Sequence, residues 1–239
     1  SLYRPITKLQ LFQILLKLLI SMEKNKKFFK DGEANEWFKR NLKGLESKQN
    51  DKVIDMLTDW LEPFQSELSN ILEIGCGSGH RLNQMSKNLM VNGYGVEPSS
   101  EAVTYIDNQF PSLQAKVGFG DDVPFKEKFD LVHLGFFLYI VDREFYLRCI
   151  SEADRLVKPG GFLSIIDFDT PFPYSNDYSH QSGVYSHKKN NSDVFVASGL
   201  YSVINKFHFS HSNFFFDKDI NERVSLTLLY KETDIFSEK

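Results

Sequence analysis

The feature that most limits what this chain can fold into is a ten-residue stretch, ILEIGCGSGH, at residues 71–80. Gly75, Gly77 and Gly79 fall within five positions directly behind an apolar run. Glycine bares the backbone and enters left-handed φ readily. The run before it reads as a buried strand. The segment HRLNQMSKNL after it places Leu82, Met85 and Leu89 at helical spacing. Such a strand-to-helix turn either brings a ligand against the main chain or only turns sharply.

The flanks repeat the pattern. DKVIDMLTDWLE is helical in spacing, with Pro63 as its stop. GYGVEP reads as a second strand ending in Glu97, and SSEAVTYIDNQF as a helix capped by Ser99 or Ser100. LQAKVGFGDD and FDLVHLGFFL read as the third and fourth strands. REFYLRCISEADRLV is a helix closed by KPGG, and FLSIIDFD is a fifth strand. Strand and helix thus alternate from about 70 to 168, which predicts an α/β fold, a parallel sheet with helices on both faces. Beyond residue 169 the alternation stops. DTPFPYSNDYSHQSGVYSHKKNNS reads as a long loop of the kind used for lids. DVFVASG is a short helix, and LYSVINKFHFSH with ERVSLTLLYK an antiparallel pair at the sheet edge.

A net charge of −4 without a Lys/Arg stripe argues against nucleic acid as a partner. The N-terminal run in LQLFQILLKLLISMEKNKK is interrupted by Gln13 and Lys17. It falls short of the roughly 20 apolar residues of a membrane span and lacks a signal-peptide cleavage pattern. We expect an amphipathic helix packed either on the domain or on a second subunit, the latter giving a homodimer through it, and no stable membrane insertion. Cys76 and Cys149 make no disulfide framework, so a cytoplasmic location is expected. The spacings among His180, His187, His208 and His211 match no standard metal pattern, so no metal is expected.

The ligand of the glycine turn is narrowed by what surrounds it. The candidates are a phosphate, a nicotinamide dinucleotide, a sulfonium nucleoside, or nothing. The Gly-Lys-Ser/Thr step of a triphosphate loop is absent. Where a dinucleotide fingerprint has its third glycine stands His80, which weakens that reading. Glu97 ends the second strand within reach of a ribose, and Asp121 and Asp122 follow the third, where a base would lie.

At these residues the chain resembles the class I S-adenosyl-L-methionine (SAM)-dependent methyltransferases. LEIGCGSG matches the first motif of that family, Glu97 in GVEP the second and GDDVPF the third. FDLVHLGFFLYI matches the fourth and RLVKPGGFLSIIDF the motif after it, over about residues 50 to 170. The flanks are similar, more loosely, to methyltransferases of bacterial surface-sugar biosynthesis. The resemblance implies a Rossmann-like three-layer sandwich with a seven-stranded, mostly parallel sheet and an antiparallel edge strand. It implies SAM as cofactor and S-adenosyl-L-homocysteine (SAH) as product. Residues 1–50 would be a helical cap or lid and 51–239 the methyltransferase domain, with 169–215 an acceptor-site loop and edge insertion.

By the same resemblance Gly75, Cys76, Gly77 and Gly79 would lie along the methionine part, with Glu73 near its amino group. Glu97 would accept from both ribose hydroxyls, since a carboxylate offers two acceptors to a vicinal diol. Asp122, or Asp121, would accept from the adenine amino group while the amide of Val123 meets a ring nitrogen. Leu134, Gly135 and Phe136 would end the fourth strand beside the transfer centre, with Tyr139 facing the acceptor. Arg40, near Trp37 and Asn41, would pair with the cofactor carboxylate. An oxygen or nitrogen acceptor must also lose a proton, and His133, Asp167, Asp169, His180 and His187 are candidate bases. Lys188 and Lys189 would meet a phosphate or carboxylate of the acceptor.

The resulting expectation is methyl transfer to an O or N atom of a small metabolite, with a sugar or surface-glycan precursor preferred. A phosphorylated amine or lipid-like acceptor is the alternative. A nicotinamide oxidoreductase and a catalytically silent SAM-binding protein are the rivals from other classes.

Overall fold

The computed structural model describes residues 24–46, 50–178, 183–234 and 237. The apolar N-terminal stretch and His180 therefore lie outside the described residues. The chain begins its described course with α1 (Lys24–Phe28), a tight turn at Phe29–Glu33 and α2 (Ala34–Glu46). Gly32, at φ 139°, supplies the kink between them.

The alternating core follows. α3 (Lys52–Leu61) opens on Asp51, whose carboxylate accepts the Val53 amide, and buries Val53, Ile54, Leu57 and Leu61 on one side. β1 (Asn70–Ile74), α4 (His80–Leu89), β2 (Asn92–Glu97), α5 (Ser100–Gln109) and β3 (Gln114–Val117) come next. Ser99 caps α5 by accepting the Ala102 amide. β4 (Phe129–Gly135), α6 (Arg143–Leu156) and β5 (Val157–Phe168) complete the alternation. The tail adds β6 (Tyr174–Asp177), β7 (Tyr185–Lys188), α7 (Asp193–Ala197), β8 (Tyr201–Ser210) and β9 (Arg223–Lys231).

The main sheet has seven strands in the order β3-β2-β1-β4-β5-β9-β8. All pairs are parallel except those made by β9, which runs against β5 and β8 one position in from the edge. Side-chain alternation sorts the core into two faces. Ile71, Leu131 and Phe162 are register neighbours on the face covered by α3 and α4. Leu72, Val132, Leu163 and Leu229 form a row on the other face, under α6. This is the α/β three-layer arrangement expected. The segment 169–192, expected as loop, holds a separate two-stranded ribbon of β6 and β7. Its Asn176–Ser186 pairing is polar, so no apolar alternation announces it. No helix among the described residues is long and apolar enough to cross a membrane.

The chain before α3 covers the C-terminal ends of the strands. The amides of Asn25 and Lys26 donate to the two carboxylate oxygens of Asp142, at 3.1 and 2.8 Å. The Asn25 side chain donates to the carbonyls of Ile140 and Tyr185, tying this cap to both the core and the β6–β7 ribbon.

Candidate active site

In an open parallel sheet, ligands sit beyond the carboxyl ends of the strands where the strand order reverses. Here the order reverses between β1 and β4, and a cavity of about 930 Å³ opens there. That is the upper end of the roughly 300–1,000 Å³ of small-molecule sites. Its walls come from the turns after β1, β2, β3 and β4, with Trp37 and Asn41 of α2 above and the 209–214 turn at one side.

The glycine turn explains its own sequence. Gly75, Gly77 and Gly79 have φ of 78°, 53° and 76°. A Cβ on Gly79 would fall 2.8 Å from Ile106 of α5, and one on Gly75 would fall 3.0 Å from Phe137. Gly79 thus allows the close packing of turn on helix, so His80 needs no glycine to do so. The amides of Gly75 and Cys76 both donate to the Val96 carbonyl, clamping the turn to the end of β2.

Two buried carboxylates face this turn. Glu97 accepts the Gly77 amide on one oxygen, at 2.9 Å, and the Ser99 amide on the other, at 3.0 Å. Each oxygen keeps a further lone pair. Burial pushes the Glu97 carboxyl up to about 7, against those two amides. Glu73 is pushed up to about 8 by burial, with the Arg81 cation pulling the other way. One Glu73 oxygen is buried without a hydrogen-bond partner among the described residues, and the residue lies on the cavity wall. An orphaned acid, a turn bared of Cβ atoms and a half-satisfied carboxylate fit a ligand carrying an ammonium and a vicinal diol.

Several expected site residues stand elsewhere. Arg40 is exposed and pairs with Glu33 at 2.5 Å, and Tyr178 donates to the same carboxylate; Arg40 does not reach the cavity wall. Leu134 packs into the core under α6, and Gly135, Phe136 and Phe137 line the cavity in its place. Asp122 is exposed and off the wall, while Asp121 is on it. The Val123 amide donates to Glu152 at 2.9 Å, so it is not offered to a ring nitrogen. The wall after β3 is instead Gly118, Phe119, Gly120 and Asp121. The signal was present in VGFGDD: a Cβ on Gly120 would lie 2.6 Å from Phe137.

His133 is buried in the sheet, off the cavity, with Nδ1 on Ser164 Oγ at 2.7 Å. Burial, aided by the Arg81 cation, lowers it to about 3, so its 4.0 Å approach to Glu73 is not an ion pair. Asp167 accepts the amides of Tyr139 and Phe168 and holds that turn in place. Asp169 pairs with Lys206 and His208. His187 bonds Ser175 on the ribbon, Lys188 donates to the Asn221 carbonyl, and Lys189 lies over the Tyr146 ring. None of these five lines the cavity. Among the described residues no three His, Cys, Asp or Glu side chains cluster as a metal requires.

Tyr139 does stand on the wall, its ring edge-on to Phe168 and its hydroxyl pushed up to about 12 by burial. Phe136 lies beside it with φ 53°. A bulky residue in the left-handed region costs about 1–3 kcal/mol and persists only where its surroundings impose it. Its amide donates to the Ile166 carbonyl at 2.8 Å, which is part of that imposition. His211, which the sequence did not single out as a base, also lines the cavity.

Comparison with known proteins agrees with this architecture. Residues 71–161 match the family model described as a methyltransferase domain. An uncharacterized methyltransferase of Synechocystis sp. (strain ATCC 27184 / PCC 6803 / Kazusa) is 28% identical over 102 residues, 42% of this chain and 48% of that protein. One of Schizosaccharomyces pombe (strain 972 / ATCC 24843) is 29% identical over 132 residues, 54% of this chain and 51% of that protein. The chain spans about half the length of these curated relatives. The crystal structure of Burkholderia thailandensis 1,6-didemethyltoxoflavin-N1-methyltransferase, with bound 1,6-didemethyltoxoflavin and SAH, superposes with a TM-score of 0.61 at 9% identity. It covers 97% of this chain and 93% of that one, a likeness of fold. The sheet and its helices have the Rossmann-like α/β arrangement, and residues 71–161 within it match a methyltransferase domain. Neighbours of this fold are SAM-dependent methyltransferases crystallised with SAM or SAH.

Proposed function

We propose that this protein transfers a methyl group from SAM to an O or N atom of a small, largely apolar acceptor. One observation carries the proposal. The cavity runs from the Glu73–Gly77–Glu97 end, which suits an amino acid and a ribose, to an end walled by Phe136, Tyr139, Phe209, His211 and Phe214.

In this reading Glu73 receives the cofactor ammonium, and its orphaned oxygen gains the partner it lacks. Cys76 and the three glycines let the methionine chain lie on the main chain. Glu97 accepts from both ribose hydroxyls, and Asp121 from the adenine amino group beside Gly118–Gly120. When bound, SAM supplies an electrophilic methyl on a good leaving group. The chain therefore has to align the acceptor, exclude water and remove a proton. The cap residues Trp37 and Asn41 close the cavity above the glycine turn. Tyr139, which keeps its proton across the neutral range, offers a hydrogen-bond donor and does not serve as the base.

The surface-sugar reading finds less support at the acceptor end. A nucleotide-linked sugar needs cations for its diphosphate, but Arg81 pairs with Asp51, Lys26 with Asp121, and Lys188 donates to Asn221. The 1,6-didemethyltoxoflavin bound by the Burkholderia enzyme and the N1 in its name keep nitrogen beside oxygen as the acceptor atom. A cytoplasmic location and a small-molecule partner belong to the same proposal.

Calorimetric titration tests it. SAH should bind and Glu97→Ala should abolish most of the affinity. Tight NAD(P)H binding without SAH binding would replace it with an oxidoreductase. SAH binding with no methylated product from any acceptor would leave a silent SAM-binding protein.

A further inference from the structure

SAM brings two opposite charges on one carbon, an ammonium and a carboxylate. On the methyl-transfer reading, on which this inference rests, Glu73 receives only the first. The second needs a cation on the same wall. The expected partner, Arg40, is off that wall. Among the described residues Arg81 is the only arginine on it. Lys26 is held by Asp121, and Lys52 stands exposed at the start of α3.

Arg81 reaches the wall from the first turn of α4, directly behind the glycine turn. Its Nε donates to the Asp51 carboxylate at 2.8 Å. That contact leaves both Nη nitrogens without a hydrogen-bond partner among the described residues. The guanidinium carbon lies 5.3 Å from the centre of the Phe136 ring, which supports the group from one side. Asp51 is itself fixed. Its other carboxylate oxygen accepts the Val53 amide at 2.9 Å. Its own amide donates to the Gln84 side chain at 2.9 Å, and Gln84 donates back to the Asp51 carbonyl at 3.1 Å. Gln84 stands one helical turn beyond Arg81, so α4 carries both the cation and the clamp on its partner.

Glu73 and Arg81 line the same cavity, yet no ion pair joins them among the described residues. They still sense each other, since the Arg81 cation pulls the Glu73 carboxyl down against the effect of burial. An acid with an orphaned oxygen and a cation with an unused planar fork, held apart along one wall, match the two charges of a zwitterionic amino acid. Such a fork takes both oxygens of a carboxylate at once.

We propose that Arg81 binds the carboxylate of SAM and SAH through its two Nη nitrogens while Nε stays on Asp51. The site thereby selects adenosyl thioethers that carry a whole amino acid over those that lack the carboxylate. A fork occupied in this way has nothing left for a diphosphate.

Calorimetry on the full chain tests this with two probes, SAH and its decarboxylated analogue, an adenosyl thioether that keeps the ammonium. The unaltered chain should bind SAH about 10–10²-fold more tightly than the analogue. Arg81→Gln should lose about that factor for SAH and bind the analogue no more weakly, so the discrimination disappears. Arg81→Lys keeps a charge beside Asp51 but not the fork, and should restore only part of it. Equal binding of the two probes by the unaltered chain would overturn the proposal, a comparison that stands even where a variant does not fold. A loss shared by both probes in Arg81→Gln would also overturn it, because it marks a purely structural role, as would SAH affinity unchanged by that substitution. Failure of SAH to bind the unaltered chain at all would instead sink the methyl-transfer reading.

Discussion

The two ends of the cavity are built from different materials. The cofactor end is made by the carboxyl ends of parallel strands. Its contacts are main-chain amides and carboxylates buried where nothing can shift, such as Glu97 between the Gly77 and Ser99 amides. The acceptor end is made by the turn after β4 and by the end of β8 with the turn that follows it. Its contacts are rings and long side chains, and Phe215 and Phe216 beside it are exposed. One end fixes charge and hydrogen-bond direction. The other fixes shape alone and tolerates exchange of one ring for another.

The sharpest way to break this contrast is at Gly79. Gly79→Val meets both a φ of 76° and Ile106 at 2.8 Å, and should cost about 2–4 kcal/mol in denaturant unfolding. A small loss would mean that the turn is softer than its geometry implies. Next is Glu97→Ala, which removes a charged acceptor from a diol and should weaken SAH by about 10²–10³-fold in calorimetry. Phe214→Ala at the other end should leave that affinity alone.

A pH series separates the ends further. Burial raises Glu73 to about 8, and Glu97 and Asp167 to about 7. The folded chain therefore holds protons that the unfolded chain has already released, and stability falls as pH rises from about 5 to about 8. The Tm of the ligand-free chain should drop across that window. SAH should reduce the drop, because an ammonium beside Glu73 favours the ionised form. A flat Tm would place these carboxylates in water. The smallest effect belongs to Arg40→Ala, which should leave SAH affinity unchanged because its partner is Glu33.

What was legible in the sequence follows the same division. Periodicity and glycine spacing are local, and they carried the strand–helix alternation, the turn and the acid at the end of β2. Facing is not local. His133 looks like an acid–base group in LVHLG, but register places it between Glu73 and Ser164 inside the sheet. Asp121 and Asp122 are one residue apart, and only the tight turn from Phe119 to Asp122 decides which meets the cavity. His211 sits in a polar turn without periodicity, and only the pairing of β8 with β9 brings it to Phe136 and Phe168.

The cap bears on timing. Lys26 reaches over the rings of Phe119 and Phe145 to the carboxylate of Asp121, at 2.5 Å. In the proposed reading that carboxylate is the one that meets the adenine, and ligand entry and departure would wait on the rupture of one ion pair. Steered capture of a charged ligand slows as salt is added. Exchange at this site should instead quicken with ionic strength, because salt loosens the clasp, and Lys26→Ala should erase that dependence in stopped-flow measurements. Product residence would be set by a surface-borne lysine rather than by the buried contacts that give the affinity.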